Sequence, residues 1–179
     1  MSDMITFTGK KFDPLYMKEN DVSLMDIAHA LSLICRGGGH IKHFYTVAQH
    51  CINCANEAEA RGLSDRICLA CLLYDASNAY ISDVIHPIKA HLQQYHEIEE
   101  YIREIIFGKF NLLDFTDEEN KYRKQINDAV SFNGFSILLP AEAKQVPPTL
   151  FSTPDFSEKD HRKIEMEYMK QVNKYLVRL

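Results

Sequence analysis

Apolar residues recur three and four positions apart through almost the whole chain, which is the period of an α-helix and not of a strand. Leu24, Ile27, Ala28, Leu31 and Ile34 form the first such stretch, and Ser23 with Asp26 three residues on forms a capping-box pattern at its start. The run Arg36-Gly37-Gly38-Gly39 stops this helix, because consecutive glycines carry no helical preference. A second helix is expected from about Phe44 to Ala60, with Gly62 as its C-terminal cap. Ser64 caps a third, expected from Asp65 to about Ser77. Its stretch Ile67 to Leu73 is apolar on every side, the mark of a buried central helix. Irregular chain is expected over Asp83 to Pro87, since Pro87 biases His86 away from helical backbone.

A fourth helix fits Tyr95 to Phe110, with Ile98, Tyr101, Ile102, Ile105 and Ile106 as its apolar stripe. Thr116 to Glu119 is a second capping box and opens a fifth helix reaching about Leu139. Pro147, Pro148 and Pro154 mark 140–156 as an irregular surface excursion, after which Ser157 is expected to cap a last helix over 157–178. Beyond Ile5-Thr6-Phe7 no strand alternation is convincing. The expectation is an all-α fold, a bundle of about six main helices in a single domain over 1–179, with its core at about 20–139.

Net charge bears on partners. The chain has 179 residues, 20 basic and 25 acidic, for a net charge of −5. A general nucleic-acid binder needs a basic face, so no nucleic-acid polymer is expected as a partner. No apolar run approaches the length of a membrane span and the N-terminus shows no basic-then-apolar signal, so a cytoplasmic protein is expected, with no membrane partner. The odd number of cysteines, five, fits reduced thiols.

Two groups of residues carry chemistry in principle. Cys51-x-x-Cys54 and Cys68-x-x-Cys71 have the spacing of paired zinc knuckles. Both pairs fall inside expected helices, among Ile, Leu and Ala, where free cysteine packs as a small hydrophobe, and packing is the preferred reading. The second group is polar and dispersed: Arg36 and His40 in the glycine loop, His50, Asp75, Asn78, Asp83, and the pair Asn127-Asp128. Singly, each has an ordinary reading as a hydrogen-bonded, capping or solvated residue.

Their order resembles a known family. Asp26 to Ser32, Arg36 to His40 and Phe44 to His50 form one half of the likeness. Cys71-Leu72-Leu73-Tyr74-Asp75-Ala76-Ser77-Asn78-Ala79-Tyr80-Ile81-Ser82-Asp83-Val84, followed by Pro87-Ile88-Lys89, forms the other. Over roughly 20–135 the chain resembles the HD-domain metal-dependent phosphohydrolases, in the branch that includes bacterial 5′-deoxynucleotidases. The resemblance implies a divalent metal ion of the Mn, Co, Mg, Zn or Ni type and hydrolysis of nucleoside 5′-monophosphates. His50 then matches the first metal histidine and Asp75 the aspartate of the His-Asp doublet. Arg36 matches the phosphate-binding arginine, His40 lies beside it in the substrate loop, and Asp83 matches a site aspartate. Relatives often pair, so a homodimer is also open.

Three positions depart from the pattern. Tyr74 stands where the doublet has histidine, and a phenol must lose a proton with a pKa near ~10 before it binds metal well. Asn78 stands where the family has its catalytic glutamate, and an amide cannot accept a proton from water. The distal metal aspartate falls on Asn127, or on Asp128 with a one-residue shift. Two readings follow: a weakened or altered phosphohydrolase, or a non-catalytic relative that binds a nucleotide or phosphate or serves as a scaffold.

Overall fold

The computed structural model describes residues 3–140 and 145–179. It is all-α in its main body. Helices α1 (Leu24–Leu33), α2 (Val47–Ala60), α3 (Asp65–Leu72), α6 (Gln93–Lys109), α7 (Asp117–Leu138) and α8 (His161–Leu176) are the six long ones, and α4 (Asn78–Ile81) and α5 (His86–Lys89) are single turns. A small antiparallel hairpin, β1 (Met4–Ile5) with β2 (Lys11–Phe12), precedes them.

The caps explain where the helices begin. Ser23, Thr46, Ser64 and Thr116 each accept a bond from a backbone N–H in the first turn of the helix they precede. At Thr116 the box is complete, since Glu119 returns a bond to the Thr116 backbone. At α1 only half of the box forms: the Asp26 carboxylate instead accepts from Thr8 N at 2.7 Å and Thr8 Oγ1 at 2.8 Å, fastening the hairpin to the helix.

Four sequence expectations need correction. Helix α2 starts at Val47 and not at Phe44, because Thr46 is its cap. Helix α3 ends at Leu72, short of Ser77, where tight turns take over with Tyr74 N bonded to Cys71 O and Ala76 N to Leu73 O. His86 opens α5 and is not irregular, since Pro87 falls in the first turn, where a missing N–H costs nothing. The last helix is capped by Asp160, whose carboxylate accepts from Arg162 and Lys163 N, while the Ser157 hydroxyl is turned to Asp155.

Helix α2 is central and packs against α1, α3, α7 and α8. Its apolar side and α3 form the core, with Cys51, Cys54, Cys68 and Cys71 all buried in it. Ile102 and Ile106 of α6 are buried in the same core, with Ile98, Tyr101 and Ile105 packed against it. Helix α8 closes the other side, and the buried Tyr168 hydroxyl donates to Leu72 O at the end of α3.

The expected excursion over 140–156 includes 141–144, which lie outside the described residues. From 145 onward it is a strap pinned to α2. Gln49, Asn53 and Glu57, four residues apart, form a buried polar stripe on that helix. Glu57 accepts from Phe151 N, Ser152 N and Ser152 Oγ, while Asn53 and Gln49 bond the backbone of Asp155 and Ser157.

Candidate functional site

The glycine loop is built to aim Arg36. Cys35 bridges to Thr46, and Arg36 N donates to Tyr45 O, so the loop is clamped across the start of α2. Gly37 has φ of +62°, and a Cβ there would meet the Phe135 ring at 3.1 Å, so the close approach of loop to α7 requires glycine. The Arg36 guanidinium then lies over the Phe135 ring, donating from Nη1 to Asp75 Oδ2 at 3.2 Å and from Nη2 to Ser131 Oγ at 3.0 Å.

His50 sits one turn into α2 and is buried. Its Nε2 lies 2.8 Å from Asn127 Oδ1 and 3.7 Å from the same Asp75 Oδ2 that Arg36 holds. That nitrogen is paired with the side-chain amide of Asn127. Burial and then the Arg36 charge push the His50 pKa well down, against Asp75 and Asn127, and the imidazole is neutral at pH 7. Asp83 joins electrostatically: burial raises its pKa and the charge of Arg36 opposes that rise. One guanidinium therefore faces two carboxylates. The Arg36 pKa is lowered by burial but more than restored by Asp75 and Asp83.

The structure brings together Arg36, His50, Asp75 and Asn127, with Asp83 near. Between Asn127 and Asp128 the choice is clear. Asp128 points outward, 60% exposed at its side chain, and pairs with Lys124 one turn away. Asn127 faces the cluster. Tyr74 is half-buried with the Arg103 guanidinium 5.1 Å above its ring; burial raises its pKa, opposed by Arg103, so the phenol keeps its proton. His40 is exposed at the end of the glycine loop, and His86 is exposed on α5. Asn78 is buried at the start of α4 and lines a different cavity from the one beside Arg36. The basic side chains near the loop are engaged elsewhere: Lys42 on Ile137 O, His43 on Phe156 O, and Lys89 on Glu99.

Ser131 and Phe135 are site residues that sequence reasoning missed. Ser131 follows Asn127 by four residues and Phe135 by eight, so both lie on the α7 face that Asn127 marks. Choosing Asn127 over Asp128 would have found them.

A divalent ion is a poor match for this donor set. A catalytic site ordinarily uses three protein ligands. Here the strong donors are His50 and Asp75, joined by the neutral amide of Asn127, and among the described residues no group of three His, Cys, Asp or Glu side chains stands in metal-holding arrangement. Asp75 Oδ2 already accepts from Arg36. The cavity beside Arg36, His50, Ser131 and Phe135 measures about 10 Å³, at most the space of one water. The cysteines are likewise unsuited: burial raises their pKa values, to about 11 for Cys68 and about 12 for Cys71, so they are thiols in the core.

No family model matches the chain. It is similar to the uncharacterized protein YfdR of Escherichia coli, 36% identical over 122 residues that cover 68% of this chain and 66% of that one. It is also similar to an uncharacterized protein of Rhodobacter capsulatus, 32% identical over 111 residues covering 59% and 56% of the two chains. The match thus spans just under two thirds of the first relative and little more than half of the second. Neither relative's name carries an activity.

Proposed function

We propose that this chain is a non-catalytic relative of the HD-domain phosphohydrolases, in which the residues around Arg36 serve as a structural clasp between helices and not as a hydrolytic centre. One observation carries the reading: Arg36 is shared between Asp75 after α3 and Ser131 on α7, with its side chain only 12% and that of Asp75 13% exposed. A buried ion pair of this kind resists the loss of one partner, at a cost of about 3–5 kcal/mol. The clasp joins the glycine loop, α2, the turn after α3, and α7. Its charge balance of one guanidinium against two carboxylates also disfavours a phosphate dianion. The Asn127 amide cannot take a proton from water, and Asp75 is occupied by Arg36.

The second reading, a metal-dependent phosphohydrolase of nucleoside 5′-monophosphates, is supported by the meeting of Arg36, His50 and Asp75 in one cluster, as the resemblance implies. Phosphate release separates the two. The purified chain is assayed with a panel of 5′-deoxynucleoside and nucleoside monophosphates and Mn²⁺, Co²⁺, Mg²⁺, Ni²⁺ or Zn²⁺ in turn, against Asp75→Ala. The expected result is no release above that control, together with a marked fall in the unfolding midpoint of Asp75→Ala. Metal-dependent release abolished in Asp75→Ala would overturn the structural reading.

A further inference from the structure

Ser82 holds a strained backbone. Its φ is +69° and its ψ 168°, a combination that glycine adopts freely and a residue with a Cβ does not. Such a residue persists only where its surroundings hold it. Two hydrogen bonds do so here. Ser82 N donates to Asn78 O at 2.9 Å, closing α4, and Ser82 O accepts from the Tyr95 hydroxyl at 2.8 Å. The Ser82 side chain itself is exposed.

Ser82 also begins a lightly attached segment. Among the described residues, the stretch from Ser82 to Ile98 contains no buried one. Three ties hold 82–92 to the body. The first is the Tyr95 hydroxyl on the Ser82 carbonyl. In the second, the Lys89 ammonium lies 5.4 Å from the centre of the same Tyr95 ring and pairs with Glu99, which is buried on α6. In the third, Ile85 lies against the glycine loop, its methyl 3.3 Å from where a Cβ on Gly38 would stand. At the far end, α6 starts at Gln93 with no side-chain cap. A surface segment with few buried contacts opens locally, at a lower free energy than global unfolding. This one faces the clasp. Burial aside, the charges acting on Asp83 are those of Arg36 and Lys89, opposed by Asp75 and Glu99. Asp83 therefore stands between the Arg36 cluster and the Lys89–Glu99 pair.

We propose that 82–92 is a lid over the Arg36 cluster, hinged at Ser82 and latched by Tyr95, and that it opens while the helical body stays folded. Opening releases the strain at Ser82, while the Tyr95 bond and the Lys89–Glu99 pair oppose it. It carries Asp83 away from Arg36 and leaves Asp75 as the carboxylate that Arg36 holds. The lid depends on its hinge and latch alone, so it stands whether the cluster is a clasp or a hydrolytic centre.

Trypsin acting on the native full chain reads the opening, because Lys89 must leave Glu99 to enter the protease. The cut at Lys89 is timed by mass spectrometry, with amide hydrogen exchange over 82–92 as a second readout and urea unfolding as the measure of global stability. Tyr95→Phe keeps the ring beneath Lys89 and removes the latch donor. It should speed the cut about fivefold with the unfolding midpoint little changed. Ser82→Gly removes the strain and should slow the cut about threefold, even after the freedom that glycine adds to the open state. Ser82→Ala keeps the Cβ, and with it the strain, and should leave the rate as it is. The lid would be overturned by a Lys89 cut that tracks global stability across urea. A Tyr95→Phe rate equal to that of the wild type, or a Ser82→Gly rate at or above it, would overturn it equally.

Discussion

Asp75 Oδ2 organises the polar interior, because Arg36 donates to it and His50 lies 3.7 Å from it. Removing one member leaves the other's charge buried and unmatched. Arg36→Met should therefore lower stability by about 3 kcal/mol, while the pair Arg36→Met with Asp75→Leu should recover much of that loss. Urea unfolding of Arg36→Met, Asp75→Leu and the double variant gives the coupling; additive losses would mean that the pair is not coupled. His50 adds a pH dependence. Its folded pKa is depressed by burial and by Arg36, so the folded state resists protonation that the unfolded chain accepts. The contribution is present above the ordinary imidazole value near ~6.5 and is lost as pH falls below it. Stability measured from pH 7 to pH 5 should drop more in the wild type than in His50→Gln. At this scale Arg36, His50 and Asp75 were legible through a recognisable order of motifs. Asn127 was not separated from Asp128, because neighbouring helical residues differ by about 100° in direction and motif spacing alone does not fix helix phase. The buried neighbours Ile126 and Val130 do fix it.

The start of α7, marked by a full capping box, was legible, and the end of α3, which depends on packing, was not. Thr116 and Glu119 satisfy each other's backbone groups, so α7 starts where the sequence puts it. Thr116→Ala should cost about 1 kcal/mol, read by thermal or urea unfolding. Helix α3 is different. Its residues Ile67 to Leu73 are all buried, with no polar face to show where the helix ends, and the chain leaves it so that Asp75 can meet Arg36. The strap after 145 was read as a surface excursion from its prolines. What pins it is Glu57, one turn beyond Asn53 on α2, and a glutamate on a helix ordinarily signals solvent. Burial raises the Glu57 pKa, yet bonds from Ser152, Arg61 and Phe151 outweigh it and leave the carboxylate below its usual range. Glu57→Ala should cost about 2–3 kcal/mol and should speed proteolysis within 145–157, with the first cleavage mapped by mass spectrometry. A strap equally resistant in the variant would show that Gln49 and Asn53 hold it alone.

At the scale of the molecule, the groups of the cluster sit on separate elements of one frame. The glycine loop, α2, the turn after α3, and α7 place four groups around one point, so donors can be added by side-chain changes alone. Asn127 Oδ1 is 2.8 Å from His50 Nε2, so a carboxylate at that position lies within reach of the same ion as His50. Tyr74→His adds an imidazole one residue before Asp75 and gives up the contact with Arg103. The double variant Tyr74→His with Asn127→Asp thus offers two imidazoles and two carboxylates, a set that suits a divalent transition metal. Calorimetry with Co²⁺ should give one ion per chain with at least about a hundredfold gain in affinity over the unsubstituted protein, in line with the worth of completing a metal's donor set. Like-charge repulsion between Asp75 and the new carboxylate should lower the stability of the metal-free double variant, and metal should restore it. A variant that folds, is destabilised and still gains no metal would show that Arg36 holds Asp75 too firmly for an ion to compete. The clasp would then be a property of the whole frame and not of the two substituted side chains.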